Sequence, residues 1–224
     1  MNIALIGYGK MGKEVEKAAL AKSHNISCII DHEEDWVSQA EGLKTSDVAI
    51  EFTTPKVVLS NIYKLLDLNI PAVVGTTAWL SHLEDVKNYC AKRNGKLIYA
   101  SNFSIGVNLF FKLNRYFADL MAQFPEYELS LEEIHHTEKL DAPSGTALSL
   151  AQDLNFPATK IVSKRIAQTP GIHTVFCQSH ADCLSITHSA QNRSGFARGA
   201  VYAAELISGI SGVVDFKELI FKTL

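Results

Sequence analysis

The sequence lacks the features that mark several classes of protein. Its 224 residues contain only four cysteines, and no two of them stand in a C-x-x-C pair. A disulfide scaffold is therefore not expected, and the thiols are predicted to be reduced, as in a cytosolic protein. No apolar run approaches the length of about 20 residues that a membrane-spanning helix needs.

The chain also lacks a large excess of either charge. Lys and Arg number 21 against 24 Asp and Glu, for a formal net charge of −3. This balance argues against general binding to nucleic acid or to anionic membranes. The first residues, MNIALIGYG, have the pattern of a strand and turn rather than of a basic and then apolar leader. We therefore expect a cytoplasmic protein without nucleic-acid or membrane partners.

A glycine motif follows the first predicted strand, Ile3 to Ile6. Strand, G-x-G-x-x-G and a helix ending near Lys22 together form a dinucleotide-binding fingerprint. In such a loop the first glycine permits a tight turn, the second lets the backbone approach a pyrophosphate, and the third packs helix against strand. The predicted cofactor contacts are Gly7, Tyr8, Gly9, Lys10, Met11 and Gly12.

The second predicted strand, Ile26 to Ile30, ends at Asp31. A carboxylate at this position binds the ribose hydroxyls of NAD and repels the 2′-phosphate of NADP. NADH is therefore the predicted cofactor, and the neighbouring His32 leaves NADPH possible. A solvated strand-end residue is the alternative interpretation of Asp31.

Strands and helices then alternate up to about residue 100. This order predicts a Rossmann-like, doubly wound parallel sheet with helices on both faces. The further predicted elements are strands at Asp47–Phe52, Ile70–Val74 and Lys96–Ala100 and helices at Pro55–Leu68 and Leu80–Arg93.

The most informative stretch runs from Glu132 to Ala147, EEIHHTEKLDAPSGTA. It places three groups suited to acid–base chemistry, His135, His136 and Lys139, at the end of a strand with period-2 patterning. Ser144 then has the pattern of an N-cap, so the first-turn amides that follow it could bind a carboxylate. A metal half-site and a surface pair of histidines without chemistry are the alternatives.

The second half of the chain changes to an α+β pattern. A helix over Val107–Phe124 is followed by strands near Lys160–Ile166, His173–Ser179 and Leu184–Ser189, and a short helix over Asp215–Phe221 ends the chain. Four residues in this region have loosely metal-like spacing: Cys177, His180, Cys183 and His188. Because the flanking residues alternate as in two strands, a hairpin turning at 180–182 is favoured, and no metal site is predicted.

The run His135-His136-x-x-Lys139-x-Asp141 through Ala147 resembles the signature of the dihydrodipicolinate reductases. Four further segments resemble the same family: Glu51–Pro55, Gly75–Thr77, Asn102–Asn108 and Arg193–Ala200. The resemblance covers almost the whole chain. The segment from His32 to Thr45 is shorter than usual in the family, and Glu51 stands where the family has Asp.

The resemblance implies a fold and a reaction. Residues 1–104 and 193–224 would bind the dinucleotide, and residues 105–192 would be an inserted α+β domain for substrate binding and oligomerisation. An open mixed sheet in that domain would build a homotetramer. The reaction would be NAD(P)H-dependent reduction of 4-hydroxy-tetrahydrodipicolinate, a small dicarboxylate, in lysine and diaminopimelate biosynthesis.

The resemblance also implies roles for single residues. His135 would donate the proton, and Lys139 would pair with a carboxylate and supply a proton, for instance to a leaving hydroxyl. His136, Ser144, Gly145 and Thr146 would bind the substrate. Further cofactor contacts would come from Gly75, Thr76, Thr77, Ala100, Ser101, Asn102 and Phe103.

Three other functions stay open from the residues themselves. They are a different nicotinamide-dependent dehydrogenase of a small acid, a non-catalytic NAD-sensing protein, and a metal-dependent hydrolase.

Overall fold

The chain divides into two compact units, Met1–Ser104 with Ser194–Leu224, and Ile105–Arg193. The structure, a computed structural model, describes residues 1–221. Residues 222–224 of the predicted C-terminal segment lie outside the described residues. This division does not test the roles predicted for the two units, which remain predictions.

Within residues 1–221 the strands are β1 (Asn2–Ile6), β2 (Asn25–Ile30), β3 (Val48–Glu51), β4 (Ala72–Val74), β5 (Lys96–Tyr99), β6 (Glu128–His135), β7 (Val162–Arg165), β8 (Ile172–Gln178), β9 (Cys183–Ser189) and β10 (Gly212–Asp215). The helices are α1 (Lys10–Ala21), α2 (Asp35–Ser38), α3 (Ala40–Lys44), α4 (Val58–Asp67), α5 (Leu83–Lys92), α6 (Ile105–Met121), α7 (Gly145–Asp153), α8 (Ser194–Leu206) and α9 (Phe216–Leu219). None of these helices combines the length and the apolar character that crossing a membrane requires.

The first unit is built on a parallel sheet of six strands in the order β10-β5-β4-β3-β1-β2. Its central strands are short apolar runs with both faces buried, as parallel strands require. Ala4 and Ile6 of β1 lie in a core cluster with residues of α4 and α5. The alternate residues of β1 point to the other face, and α1 packs against α8. Helices on both faces confirm the predicted doubly wound sheet.

One local prediction in this unit was wrong, and three short elements were not predicted. Helix α4 begins at Val58 rather than at Pro55, because the N–H groups of Val57 and Val58 both bond the Thr54 carbonyl and form a turn first. The polar segment 32–45 contains α2 and α3. Strand β10 was missed altogether, since its four residues are too few for periodicity and its pairing partner β5 lies far away in the sequence.

The second unit carries a mixed sheet of four strands in the order β7-β6-β8-β9. Strand β7 runs parallel to β6, and the other two pairs are antiparallel. Helices α6 and α7 contribute to the apolar cluster that covers this sheet, together with Leu131 and Val175. Along β6 the buried positions are Leu131, Glu133 and His135. The buried face of this strand therefore changes from apolar to ionisable toward its carboxyl end.

Candidate active site

The glycine loop of the first unit has no room for a side chain at its first and last glycines but has room at the middle one. Gly7 has φ +91°, and a Cβ there would lie 2.2 Å from the Phe52 carbonyl oxygen. A Cβ at Gly12 would lie 2.2 Å from the Gly7 carbonyl oxygen, whereas a Cβ at Gly9 would meet nothing within 4 Å. Gly9 is also the N-cap of α1 and supplies no capping side chain. The loop therefore fits a pyrophosphate at the helix N-terminus.

Asp31 lies beside this loop, at the end of β2. Its Oδ1 accepts a hydrogen bond from the Tyr8 amide at 2.7 Å. A second carboxylate that the sequence did not reveal is close by. Oδ2 of Asp35 accepts from the amides of Asp31 and His32 at 2.9 and 2.8 Å. The edge of the sheet that would receive the adenine ribose therefore presents two acidic side chains.

In the turn after β4, one of the predicted cofactor contacts is buried and another is exposed. Thr76 is buried, and its hydroxyl accepts from the Thr53 amide at 2.8 Å, while its carbonyl accepts from the Trp79 indole N–H at 3.0 Å. Thr77 is exposed. The Gly75 position is closely packed, since a Cβ there would lie 2.1 Å from the Phe52 ring. Thr77 is therefore available to a ligand, whereas Thr76 is engaged in shaping the turn.

The segment after β5 likewise contains both buried and exposed residues among the predicted cofactor contacts. Ala100 and Phe103 are buried, and the Phe103 ring packs at 5.1 Å from that of Phe216. Ser101 is exposed, and Oδ1 of Asn102 accepts from the Ser104 amide at 2.8 Å. All these segments follow the carboxyl ends of neighbouring parallel strands, where ligands bind in open α/β sheets.

In the second unit Ser144 caps α7 as predicted. It has extended backbone angles, and its Oγ accepts from the Ala147 amide at 3.2 Å. Because the cap is directed at Ala147, it does not engage the amides of Gly145 and Thr146. Gly145 is exposed and Thr146 is half-buried. The start of α7 is thus suited to receive a carboxylate.

The structure does not pair His135 with His136. His135 ends β6, and the following residue leaves the strand. The partners of His135 are instead Glu133 and His173. Its Nδ1 lies 3.3 Å from Oε2 of Glu133, without the alignment of a hydrogen bond, and its ring meets that of His173 edge-on at 4.9 Å.

Glu133 is fully buried and receives several donors. The Ser144 amide lies 3.1 Å from each of its carboxylate oxygens. Oε1 also accepts from the Ser163 hydroxyl at 2.8 Å and from Nη2 of Arg165 at 3.4 Å. Burial opposes the ionisation of this carboxyl, but the hydrogen bonds from Ser144 and Ser163 outweigh it, so the pKa of Glu133 lies below its ordinary value.

The two histidines have lowered pKa values. Burial lowers the pKa of His135, and the nearby Glu133 carboxylate opposes that effect. Burial and repulsion by His135 lower the pKa of His173 to about 4. The imidazole of His173 is therefore neutral at pH 7. Its Nε2 lies 3.1 Å from the Ser144 hydroxyl.

Lys139 lies in the loop after β6 and forms an ion pair with Asp141. Its Nζ contacts the two carboxylate oxygens at 2.7 and 2.9 Å. Arg165 holds this loop, donating to the carbonyls of Lys139 at 3.3 Å and Asp141 at 2.6 Å. A substrate carboxylate would therefore compete with Asp141 for the ammonium group.

The metal-site alternatives fit the structure poorly. Residues 172–189 form the predicted hairpin of β8 and β9, so that prediction is confirmed. Within residues 1–221, one group of His, Cys, Asp or Glu side chains has converging ligand atoms: Glu133, His135 and His173. Since the Glu133 oxygens already accept several protein donors, this group fits a hydrogen-bonded cluster better than a metal centre.

The sequence prediction missed three residues of this cluster: Glu133, Arg165 and His173. The period-2 pattern of β6 could have identified Glu133, because it shares a face with His135. The other two come from β7 and β8, and their approach to β6 depends on strand pairing that no local pattern reveals.

The first unit has a sheet of the type that binds dinucleotides, and the second has a cluster suited to acid–base chemistry. Together they define the class of the protein as a nicotinamide-dependent oxidoreductase. Two family models cover nearly all of the chain. Dihydrodipicolinate reductase, N-terminus, matches residues 1–103, and dihydrodipicolinate reductase, C-terminus, matches residues 106–220. The chain therefore belongs to the dihydrodipicolinate reductase family, as the sequence resemblance predicted.

Individual relatives agree with the family models. A 4-hydroxy-tetrahydrodipicolinate reductase of Christiangramia forsetii is 40% identical, with 98% of each chain covered. One of Bdellovibrio bacteriovorus is 29% identical, over 99% of this chain and 96% of the relative. The solved structure of a dipicolinate-bound dihydrodipicolinate reductase from Paenisporosarcina sp. TG-14 has the same fold. Its TM-score is 0.78 at 23% identity, covering 97% of this chain and 99% of that one.

Proposed function

We propose that this chain is a 4-hydroxy-tetrahydrodipicolinate reductase, in which unit 1 binds the dinucleotide and unit 2 binds and protonates the substrate. The observation that carries the proposal is the assembly of His135, Lys139 and the start of α7 in one unit of a chain from this family. A reduced nicotinamide, when bound, supplies the hydride. The protein must hold two carboxylates and deliver protons.

The two carboxylates of the substrate bind to different groups of the protein. The amides of Gly145 and Thr146, with the Thr146 hydroxyl, take one carboxylate at the positive end of α7. Lys139 and His136 take the other, with Lys139 exchanging Asp141 for the substrate. Charge-assisted contacts of this kind fix the orientation of a planar dicarboxylate.

The protons come from His135 and Lys139. Loss of the ring hydroxyl as water breaks the C–O bond and a C–H bond of the adjacent ring carbon. Lys139 gives a proton to the leaving hydroxyl, and the proton of the C–H bond leaves to solvent, from which Lys139 regains its own. Reduction then adds the hydride to one ring carbon and a proton from His135 to its neighbour. Burial lowers the pKa of His135 and disfavours its charged form in the free protein. A bound dianionic substrate opposes this effect and favours the charged imidazole that donates the proton.

The test couples the purified protein to a synthase that forms the ring from pyruvate and aspartate semialdehyde and follows NADH absorbance. Consumption should require the synthase, and His135→Ala should lower the rate by about 10²- to 10⁴-fold. Lys139→Ala should also lose most activity, whereas the exposed His180→Ala should match the parent. No consumption, together with tight NADH binding, would favour an NAD sensor or another dehydrogenase.

The cofactor preference proposed is NADH over NADPH. Asp31 and Asp35 bring two negative charges to the ribose end, and the Asp35 carboxylate occupies the two amides that a 2′-phosphate could use. Asp35→Asn and Asp31→Ser should each shift the ratio of kcat/KM values toward NADPH by about tenfold. The exposed neighbour Glu34→Gln is the matched control. An unchanged ratio in both variants would remove these carboxylates from cofactor selection.

The assembly proposed is a homotetramer in the cytoplasm. Strand β9 is at one edge of the second sheet, and an edge offers unpaired backbone groups for association. The four cysteines are free, as in a reducing compartment. Light scattering on the purified protein gives the subunit number, and a monomer at working concentration would contradict the tetramer.

A further inference from the structure

Glu133 lies where the sheet and the start of α7 meet. It is directly opposite His173 in the antiparallel pair and beside Ser163 in the parallel pair. It shares the buried face of β6 with His135, two residues along the strand. One carboxylate is therefore in reach of three strands and of the N-cap residue of α7.

The two oxygens of this carboxylate have different surroundings. Oε1 accepts from the hydroxyl of Ser163, the guanidinium of Arg165 and the amide of Ser144. Among residues 1–221, Oε2 accepts only from the Ser144 amide, and it faces Nδ1 of His135 at 3.3 Å and Nε2 of His173 at 3.7 Å. The carboxylate is thus fixed through Oε1 and presents Oε2 to the histidines.

This arrangement distinguishes the two nitrogens of His135. A carboxylate oxygen facing Nδ1 favours a proton on that nitrogen, which leaves Nε2 as the atom that gains and delivers the catalytic proton. The space at Nε2 is kept by a glycine, since a Cβ at Gly171 would lie 3.1 Å from this nitrogen.

His173 does not compete for this role. Its Nε2 is within hydrogen-bond distance of the Ser144 hydroxyl, which itself caps α7. Because the pKa of His173 is about 4, its ring is neutral at pH 7. The ring packs edge-on against that of His135.

We propose that Glu133 is the positioning residue of this site. Its buried carboxylate sets the orientation and charge of His135 and, through the Ser144 amide, holds the helix start that receives the substrate carboxylate. The proposal rests on the proposed function, in which His135 donates the proton. It adds a residue that touches neither substrate nor cofactor.

Several charged groups face His135 and contribute to its titration. Glu133 and Asp141 favour the charged imidazole, while the cations oppose it, as does the neighbouring imidazole if it is protonated. By element they are Glu133 of β6, Lys139 and Asp141 of the following loop, Arg165 of β7 and His173 of β8. Glu133 is the only one of them that combines full burial with a negative charge.

The experiment compares the parent with Glu133→Gln and Glu133→Asp, and with Glu132→Gln as the matched control. Glu132 is the preceding residue and pairs instead with Lys164 at the sheet surface. Two readouts are needed: kcat/KM against pH, which reports groups of the free enzyme, and the NMR titration of the His135 ring. Circular dichroism and NADH titration confirm that each variant is folded and that unit 1 is intact.

Removing the negative charge should lower the pKa of His135. The fall of kcat/KM on the alkaline side should therefore move to lower pH in Glu133→Gln, by about one pH unit, with at least about a tenfold loss of kcat/KM at pH 7. Glu133→Asp should recover part of both effects, and Glu132→Gln should match the parent. If Glu133→Gln does not fold, Glu133→Asp alone should still show a smaller shift in the same direction.

A loss of activity with an unchanged pH profile and an unchanged His135 titration would overturn the proposal, because it would mean that Glu133 only supports the fold. Parent-like activity and titration in the folded variants would overturn it as well. The NMR titration does not require turnover. An inactive parent would therefore count against the proposed function, while the titration would still decide the role of Glu133.

Discussion

Each unit of this molecule buries one glutamate completely, and the two have opposite surroundings. Glu133 in the second unit accepts from an amide, a hydroxyl and a guanidinium. Glu51 in the first unit has the Thr53 hydroxyl and the Asn61 amide at one oxygen only, and its Oε2 has no hydrogen-bond partner among the described residues. Burial raises the pKa of Glu51, whereas the donors around Glu133 hold its pKa below the ordinary value.

The difference teaches that depth alone does not decide whether a buried carboxyl is charged. The charge depends on how far the donors aimed at the carboxyl replace the water that burial removes, and at Glu133 the donors outweigh burial. A charged Glu133 can act on a histidine at 3.3 Å. The raised pKa of Glu51 favours its neutral form. Its bonds to Thr53 and Asn61 suit it to holding the turn after β3, where the chain approaches the glycine loop.

The largest expected effect is from Glu133→Gln on stability. The substitution removes the charge facing Arg165 and turns an amide N–H₂ toward existing donors, so we expect a loss of about 3–5 kcal/mol in the free energy of unfolding at pH 7. Because the pKa of Glu133 is lowered in the folded state, its contribution is present above the unfolded pKa and disappears as pH falls through the folded pKa. Urea unfolding between pH 3 and 8 measures both features. We expect a loss below about 0.5 kcal/mol for Glu132→Gln. A loss as small as that for Glu133→Gln would show that Glu133 contributes no more to stability than the surface residue Glu132.

The next largest effect is the loss of stability in acid that is caused by His173, a neighbour of Glu133. His173 stays neutral in the folded protein down to about pH 4, while in the unfolded chain it gains its proton near 6.5. The unfolded state therefore binds more protons in this window, and stability falls as pH falls, by at most about 3 kcal/mol. His173→Gln should flatten the fall, and the exposed His180→Gln should leave it unchanged. A parent-like slope in His173→Gln would assign the acid sensitivity elsewhere.

The smallest effect is expected in the first unit. Since the pKa of Glu51 is raised by folding, its contribution to stability is present below the unfolded pKa and is lost as pH rises through the folded pKa. Glu51→Gln should therefore gain about 1 kcal/mol relative to the parent between pH 4 and pH 8. Urea unfolding at the two pH values measures this change. A relative loss over the same range would show that Glu51 behaves like Glu133.

Local sequence patterns predicted much of this structure. Glycines before a helix, an acid at a strand end and a serine N-cap are signals within a few residues, and they located Gly7, Asp31 and Ser144. Groups that reach the sites through strand pairing gave no such signal. His173 and Arg165 approach Glu133 only because β8 and β7 flank β6. Similarly, β10 exists because β5 offers it an edge to pair with.

The most direct test of the contrast is a carbon-13 NMR titration of glutamate side-chain carboxyls, with the two resonances assigned from Glu51→Gln and Glu133→Gln. The predicted result is that Glu133 remains ionised below the ordinary value near 4.5, while Glu51 is already protonated above it. The reverse order, or a common titration near that value, would contradict the conclusion that hydrogen-bond donors outweigh burial at Glu133 and keep a negative charge beside His135.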